Sequence, residues 1–424
     1  MRRGRWLAVP IIAMLVAGAC GGGTTAPGAG AATGAATKVT LTNGGKIVLG
    51  VINDQSGVYA DLSGKNAVEA VKMAVADFQA KYPDFPKAVE VITADHQNKP
   101  DLAKSKAQEF YERNNVDVIL DVPTSSAALA IADVARDQKR VYINITAGST
   151  DLTGKNCNKY TFHYAYDNYM LAAGTGPWVT QNVGKSWYII FPDYAFGQDL
   201  RDNFKASIDK AGGKVLGADG SPFPNQTGDF SNLLIKASSL KPEILGAMQA
   251  GGDLVNVVKQ YNQFKLKDQK ITLAIGLLFD TDIAALGPDA FAGVVYTTPW
   301  IWDMDDQSKS FADKFKTKTG IRPTFAHAGN YSAAWQYLDA IRRAGTDDAD
   351  AVVKALEGYK FNDFFIRNGQ FRADDHYVAH DALLAQVKPK SEMKETSDYS
   401  KILATLKAEQ ISRPVAEAGC KMPK

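Results

Sequence analysis

The sequence predicts an α/β chain built as two parallel-sheet lobes. Short β-branched runs alternate with segments of helical period, the runs are continuously apolar, and a break near 154–170 divides them into two series. Strands joined by crossover helices make parallel sheets covered on both faces, so their residues need no polar side. The first series holds KIVLGVIN (46–53), VEVITADH (89–96), VDVILDVP (116–123) and VYINIT (141–146). After the first run, Ala67, Val71, Ala74, Val75 and Phe78 share one face at i, i+3 and i+4 spacing, which predicts a helix over 64–82. Segments 100–114 and 125–138 repeat the pattern, starting at Pro100-Asp101 and Thr124-Ser125. The second series holds SWYIIFP (186–192), KVLGAD (214–219), PEILGAMQ (242–249) and ITLAIGL (271–277), separated by helical patterns at 197–212, 230–239 and 252–265. A ninth run, GVVYTTP (293–299), precedes helical patterns at 307–319 and 325–344. Open parallel sheets bind ligands at the carboxyl ends of their strands, so two facing lobes predict a cleft between them.

Size and composition agree with this. The chain has 424 residues, 45% hydrophobic and 22% charged, enough apolar content for a substantial core and too much for a disordered chain. A formal charge of +2 with no Lys/Arg run gives no electrostatic footprint for nucleic acid.

Residues 1–19 read as an export leader: Arg2, Arg3 and Arg5 precede a short apolar stretch from Trp6 to Ala17, too short to span a bilayer. Val16-Ala17-Gly18-Ala19-Cys20 resembles a bacterial lipobox, with Ala17 in place of the usual Leu, which makes Cys20 the expected site of diacylation. Two acyl chains anchor a protein stably, whereas one is marginal. An ordinary secretory signal with a chance Cys is the competing reading. Gly, Ala, Thr and Pro dominate the residues after Cys20, so 20–45 is expected to be a flexible tether. Loss of the leader's three arginines takes the formal charge from +2 to −1. Cys157 and Cys420 remain; in an oxidising compartment a bridge between them is expected, with two free thiols as the alternative.

Catalytic signatures are missing: no G-x-G-x-x-G after a strand, no P-loop, no G-x-S-x-G and no H-E-x-x-H. His376 and His380 beside Asp374, Asp375 and Asp381 would share a helical face as zinc ligands do, but the segment has β-like content, so a polar cluster is the plainer reading. Asp303, Asp305 and Asp306 precede a predicted helix, where carboxylates serve as caps. The distinctive residues lie instead at strand ends: Thr124-Ser125-Ser126, Thr146-Ala147-Gly148-Ser149-Thr150, Asp54 through Tyr59, and Asp193 through Gly197. Hydroxyls and free N–H groups at a helix start can hold an anion, although each Ser/Thr loop alone is equally a helix cap.

KIVLGVINDQSGVYADLSGKNAVEAVKMAVADF, VDVILDVPTSSAALAIADVARDQKRVYINITAGSTDLTG and FPDYAFGQDLRDNF resemble the extracytoplasmic solute-binding proteins of ABC importers, in particular the leucine/isoleucine/valine-binding group with the type I periplasmic-binding fold. The resemblance runs from about residue 46 to about 385. It implies two Rossmann-like lobes, 46–165 plus 298–370 and 166–297 plus 371–424, joined by three crossover strands and closing on the ligand by a hinge. It carries ligand-carboxylate binding onto Ser125, Ser126, Thr146, Ala147, Gly148 and Ser149, aromatic contacts onto Tyr194 and Phe196, and a covering side chain onto Tyr59. Amino-acid binders of the family place an acid after the strand that is ITLAIGL here, to pair the ligand ammonium. This chain has Leu277-Leu278-Phe279, with Asp280, the remaining ligand-binding candidate there, and Asp282 only further on, and a buried ammonium without a partner is expensive. An aromatic or other apolar carboxylate fits better; ADHQNKPD with the Tyr59 loop resembles a branch associated with aromatic-acid uptake. The expectation is a monomeric solute receptor, not an enzyme, needing no cofactor or metal, that delivers its ligand to an ABC permease and its ATPase. The rivals are a sensory receptor of the same fold, a branched-chain amino acid or amide binder, and an exported hydrolase using His376 and His380.

Overall fold

The computed structural model describes residues 38–422. The first series of runs folds into β1 (Ile47–Asn53), α1 (Gly64–Lys81), β2 (Val89–Asp95), α2 (Pro100–Glu112), β3 (Val118–Asp121), α3 (Ser125–Gln138), β4 (Val141–Asn144) and a short β5 (Thr161–His163). These strands form one parallel sheet in the order β2-β1-β3-β4-β5. Every residue of β1, β3 and β4 is buried, whereas β2 at the edge is half-buried, as strands covered on both faces and edge strands should be.

The second series gives α4 (Asn168–Asn182), β6 (Ser186–Pro192), α5 (Ala195–Lys210), β7 (Lys214–Ser221), α6 (Ser231–Leu240), β8 (Ile244–Ala247), α7 (Gly251–Gln263), β9 (Thr272–Ile275), α8 (Asp280–Leu286) and β10 (Val295–Thr298). The second parallel sheet runs β7-β6-β8-β9, the same order as the first four strands of the other lobe. The chain then returns to the first lobe as α9 (Asp306–Thr319), α10 (Phe325–Ala344) and α11 (Ala349–Leu356), with α10 packed along α1.

Three features depart from the sequence reading. The break near 154–170 conceals β5 and α4; α4 contains Gly174, Gly176 and Pro177 and is apolar on no single face, so it lacks a periodic signal. The ninth run, β10, joins no parallel array but pairs antiparallel with β14 (Ala382–Val387), which pairs with β15 (Ser400–Leu406). A third small sheet is made of β11 (Lys360–Phe361), β12 (Gly369–Phe371) and β13 (Val378–Ala379), and a lobe boundary at 370/371 would cut through it. This sheet lies against the first lobe, with Phe371 edge-on to Phe162 at 5.7 Å. The chain ends in α12 (Ala408–Ile411) and α13 (Val415–Ala418).

Residues 1–37, with Cys20 and most of the expected tether, lie outside the described residues. The last part of that tether is docked rather than free. The Thr40 N–H donates to the Gly345 carbonyl at 2.9 Å, Thr42 donates through N–H and hydroxyl to Asp347 at 2.6 and 2.7 Å, and Asn43 Nδ2 donates to Asp117 at 2.8 Å. Polar side chains at 42 and 43, in an otherwise Gly/Ala-rich stretch, find buried carboxylates on the body.

Candidate functional site

In both sheets the strand order reverses, between β1 and β3 in one lobe and between β6 and β8 in the other, and loops at such switch points form ligand crevices. The four loops meet. Tyr59 after β1, Pro123 after β3, Tyr194 after β6 and Ala250 after β8 line one cavity between the lobes. Leu62, Thr146 and Tyr166 complete the first-lobe side; Phe196, Leu277 and Phe279 complete the second. None of these side chains is charged, and five carry aromatic rings. With the lobes together the cavity is closed down to ≈ 10 Å³, about one water's requirement.

The lobes are drawn together across this cavity. The Tyr59 and Tyr194 hydroxyls are hydrogen-bonded at 2.8 Å, and Phe223 stacks on Tyr194 with centroids 3.9 Å apart. The Gly252 N–H donates to the Val58 carbonyl at 3.2 Å. Gly251 adopts φ +58°, and a Cβ there would stand 2.5 Å from the Val58 oxygen, so this approach of the lobes requires glycine. Burial pushes the Tyr59 and Tyr194 phenols above their ordinary range, and both stay protonated donors.

Buried carboxylates hold the first-lobe loops in place. Asp54 accepts the Gly57 N–H at 2.7 Å and the Tyr59 N–H at 2.8 Å, which sets the tyrosine's position. Asp121, fully buried, accepts from Asn53 Nδ2 at 2.9 Å and from the hydroxyls of Ser63 and Thr146, tying β1, the start of α1 and the loop after β4 to one point. Burial raises its pKa. Asp121 and Val122 adopt φ of +80° and +67°, costly for an acid and more so for a β-branched residue. That bend turns Pro123 into the cavity.

The expected site residues are thus divided. Tyr59, Thr146, Tyr194 and Phe196 line the cavity. Ser125, Ser126, Ala147, Gly148 and Ser149 are not among its lining residues. Ser125 is fully buried and its Oγ accepts the Ser149 N–H at 3.3 Å, while Ser149 Oγ accepts the Asp151 N–H at 3.4 Å. Ala147 is fully buried, its carbonyl accepting from Asn144 Nδ2 at 2.7 Å. A Cβ on Gly148 would meet Asn168 at 2.4 Å and Phe196 at 3.2 Å, so the glycine serves packing. Ser126 lies in the first turn of α3, half-exposed. Asp280 opens α8 rather than lining the cavity; burial and the neighbouring Asp303 push its carboxyl up to about 7. Leu62, Pro123, Tyr166 and Ala250 line the cavity without having been expected there, and so do Leu277 and Phe279, which the sequence named only as standing in place of an acid. For Leu277 and Phe279 the signal existed, since they stand at the end of a buried strand.

The histidine pair is separated in function. His376 stacks on Phe162 at 4.1 Å and meets Glu357 at 3.1 Å, whereas His380 contacts the carbonyls of Asp381 and Ala165 at 2.8 and 2.9 Å. Among the described residues no group of three or more His, Cys, Asp or Glu is placed to hold a metal. Asp305 caps α9, accepting the Ser308 N–H at 2.8 Å. Cys157 and Cys420 are joined in a disulfide, with Cα atoms 5.6 Å apart.

A solved periplasmic binding protein from Burkholderia mallei is 40% identical and superposes with a TM-score of 0.85 over 89% of this chain and 98% of its own. The Leu/Ile/Val-binding protein homolog 6 of Brucella melitensis is 25% identical over 324 residues, 74% of this chain and 81% of the relative. A solute-binding protein of an ABC transporter from Rhodopseudomonas palustris, solved with 3,4-dihydroxybenzoic acid, superposes with a TM-score of 0.75 over 86% of this chain and 98% of its own; at 23% identity that likeness is one of fold. Residues 46–393 match the family model described as periplasmic binding protein. With a two-lobed fold, an inter-lobe cavity at both switch points and a family match over most of its length, the chain belongs to the periplasmic binding proteins, the ligand-binding components of ABC transporters.

Proposed function

We propose that the protein is a membrane-anchored lipoprotein that captures a small aromatic or similarly apolar monocarboxylate in the inter-lobe cavity and delivers it to an ABC permease. One observation carries the ligand class: the cavity wall, Leu277 and Phe279 included, is aromatic and aliphatic with no charged side chain among its lining residues. An ammonium buried there would lack a partner, while an aromatic ring would replace ring–ring contacts with its own. The carboxylate end belongs toward the Tyr59–Tyr194 hydroxyl pair, which has one proton left to donate to it, since the Thr146 hydroxyl already donates to Asp121. Capture needs only that the closed form bind the ligand more tightly than the open one.

A branched-chain amino acid is the second reading, favoured by the likeness to the Leu/Ile/Val-binding protein homolog 6 of Brucella melitensis. Asp253 is the carboxylate it would require. Asp253 lies just beyond Gly251 and Gly252, is buried, and is pushed up to about 6 by that burial.

Thermal unfolding of the protein with benzoate, 4-hydroxybenzoate, phenylacetate, leucine, valine and acetamide separates the two. A ligand at 100 times its Kd adds about 2.7 kcal/mol to stability, a readily measured rise in Tm. A rise with the aromatic acids alone is the expected result. A rise with leucine or valine alone overturns the proposal in favour of the second reading. The anchor rests on the leader and Cys20, and Cys20→Ala should move the exported protein out of the membrane fraction; its retention there would refute the anchor.

A further inference from the structure

Three segments cross between the lobes: 164–167 after β5, 299–305 after β10, and 380–381 between β13 and β14. The C-terminal segment makes a fourth crossing. It begins at the third crossover, where Lys407 Nζ and the Ala408 N–H donate to the two oxygens of Asp381 at 2.8 and 3.1 Å. Next, α12 packs on α4 of the second lobe, with Ile411 buried. Beyond Ile411 the next hydrogen bonds run to the first lobe and its small sheet, while Glu417 still lies beside Tyr169 and Ala172 of α4. Arg413 Nη2 donates to the Thr150 carbonyl at 2.8 Å, and Arg372 Nη1 donates to the Arg413 carbonyl at 2.9 Å. A Cβ on Gly154 would stand 2.9 Å from the Ala418 carbonyl, so the segment lies flush against the loop after Thr150. Cys420 then joins Cys157, ahead of β5.

We propose that residues 407–420, closed by the Cys157–Cys420 disulfide, form a fourth connection between the lobes that resists their separation. Individually these hydrogen bonds are weak, and a free chain end would peel away residue by residue. The disulfide holds the far end on the first lobe while α12 holds the near end on the second. Any bond that breaks is therefore kept at high effective concentration of its partner and re-forms. Arg413 carries this linkage, because its guanidinium holds Thr150 while its carbonyl is held by Arg372. Separation of the lobes must move α4 relative to the loop after Thr150, and the segment spans those two elements. The inference requires no particular ligand and stands or falls apart from the ligand class proposed above.

Hydrogen exchange of the ligand-free, full-length protein tests it at a distance. The Gly252 N–H, bonded to Val58 across the cleft, exchanges when the lobes part. Replacing both cysteines (Cys157→Ser with Cys420→Ser) should speed exchange at 250–256 by about tenfold, with the β3 and β8 amides still protected. Arg413→Ala, which keeps the disulfide and guards against a folding failure of the cysteine variant, should speed it by about threefold. Faster exchange confined to 408–420, with 250–256 unchanged, would overturn the proposal and leave the tail a local fastening. Equal loss of protection at 250–256, β3 and β8 would overturn it as well, as a general loss of stability.

Discussion

The two walls of the cleft are built by different physics. On the first lobe, Asp54 and Asp121 each gather several donors, and His327 joins the start of α10 to Ser63, so the loops are placed by directional bonds. On the second lobe the wall is made of rings: Tyr194 on Phe223 at 3.9 Å, and Phe279 on Phe325 at 4.3 Å, the latter ring reaching over from the start of α10. A wall of directional bonds fixes where a ligand's polar end can sit. A wall of rings sets shape and volume and tolerates any apolar body that fills it. The same strand order in both lobes thus supports two unlike surfaces, because the contrast lies in the loops and not in the sheets.

Paired variants measured by chemical denaturation should expose the contrast. Phe279→Ala removes a fully enclosed ring and should cost about 3–5 kcal/mol, the larger effect. Asp121→Asn leaves one acceptor oxygen but turns an amide toward donors of Asn53, Ser63 and Thr146, and should cost about 1–3 kcal/mol. Equal costs would mean that the walls do not differ as described. A third effect concerns pH and is spread over the acid range. His327 Nδ1 accepts the Thr324 N–H at 3.0 Å and Nε2 lies 3.0 Å from the Ser63 carbonyl, so the ring is held neutral; burial lowers its pKa from 6.5 to about 4. A lowered folded-state pKa means stability that is fully present above pH 6.5 and lost as the pH falls toward 4. His327→Gln should therefore lose less stability than the wild type between pH 6.5 and 4. Buried acids such as Asp167, pushed up to about 7, act in the opposite sense, but they are common to both proteins and leave the difference to His327. Parallel Tm–pH curves for the two proteins would dismiss this role.

Most of the sheet strands and the large helices were legible because their signals are local. Val48 to Ile52 or Ile143 can only be buried, and the Ala67–Phe78 face can only turn inward. The helix over 325–344 is observed at Phe325–Ala344, since Thr324 caps it and Gly345 ends it in a left-handed turn. By contrast α4 has no apolar stripe, and β5 is three residues long. Among the cavity-lining residues, Tyr59, Thr146, Tyr194 and Phe196 were legible because they lie in or just after loops at strand ends. The same reasoning pointed to Ser125 and Ser149, yet their hydroxyls accept backbone N–H groups of Ser149 and Asp151.

The pattern of the chain alone determined an exported, two-lobed α/β body with a cleft at its strand ends, because burial on both faces writes itself into every strand. Which side chains face the cleft was decided only by the folded molecule. Asp121 with its left-handed backbone turns Pro123 inward, packing directs Leu277 and Phe279 to the cavity, and the tail crosses from one lobe to the other. Each of these depends on contacts between residues far apart in sequence, and no local period records them.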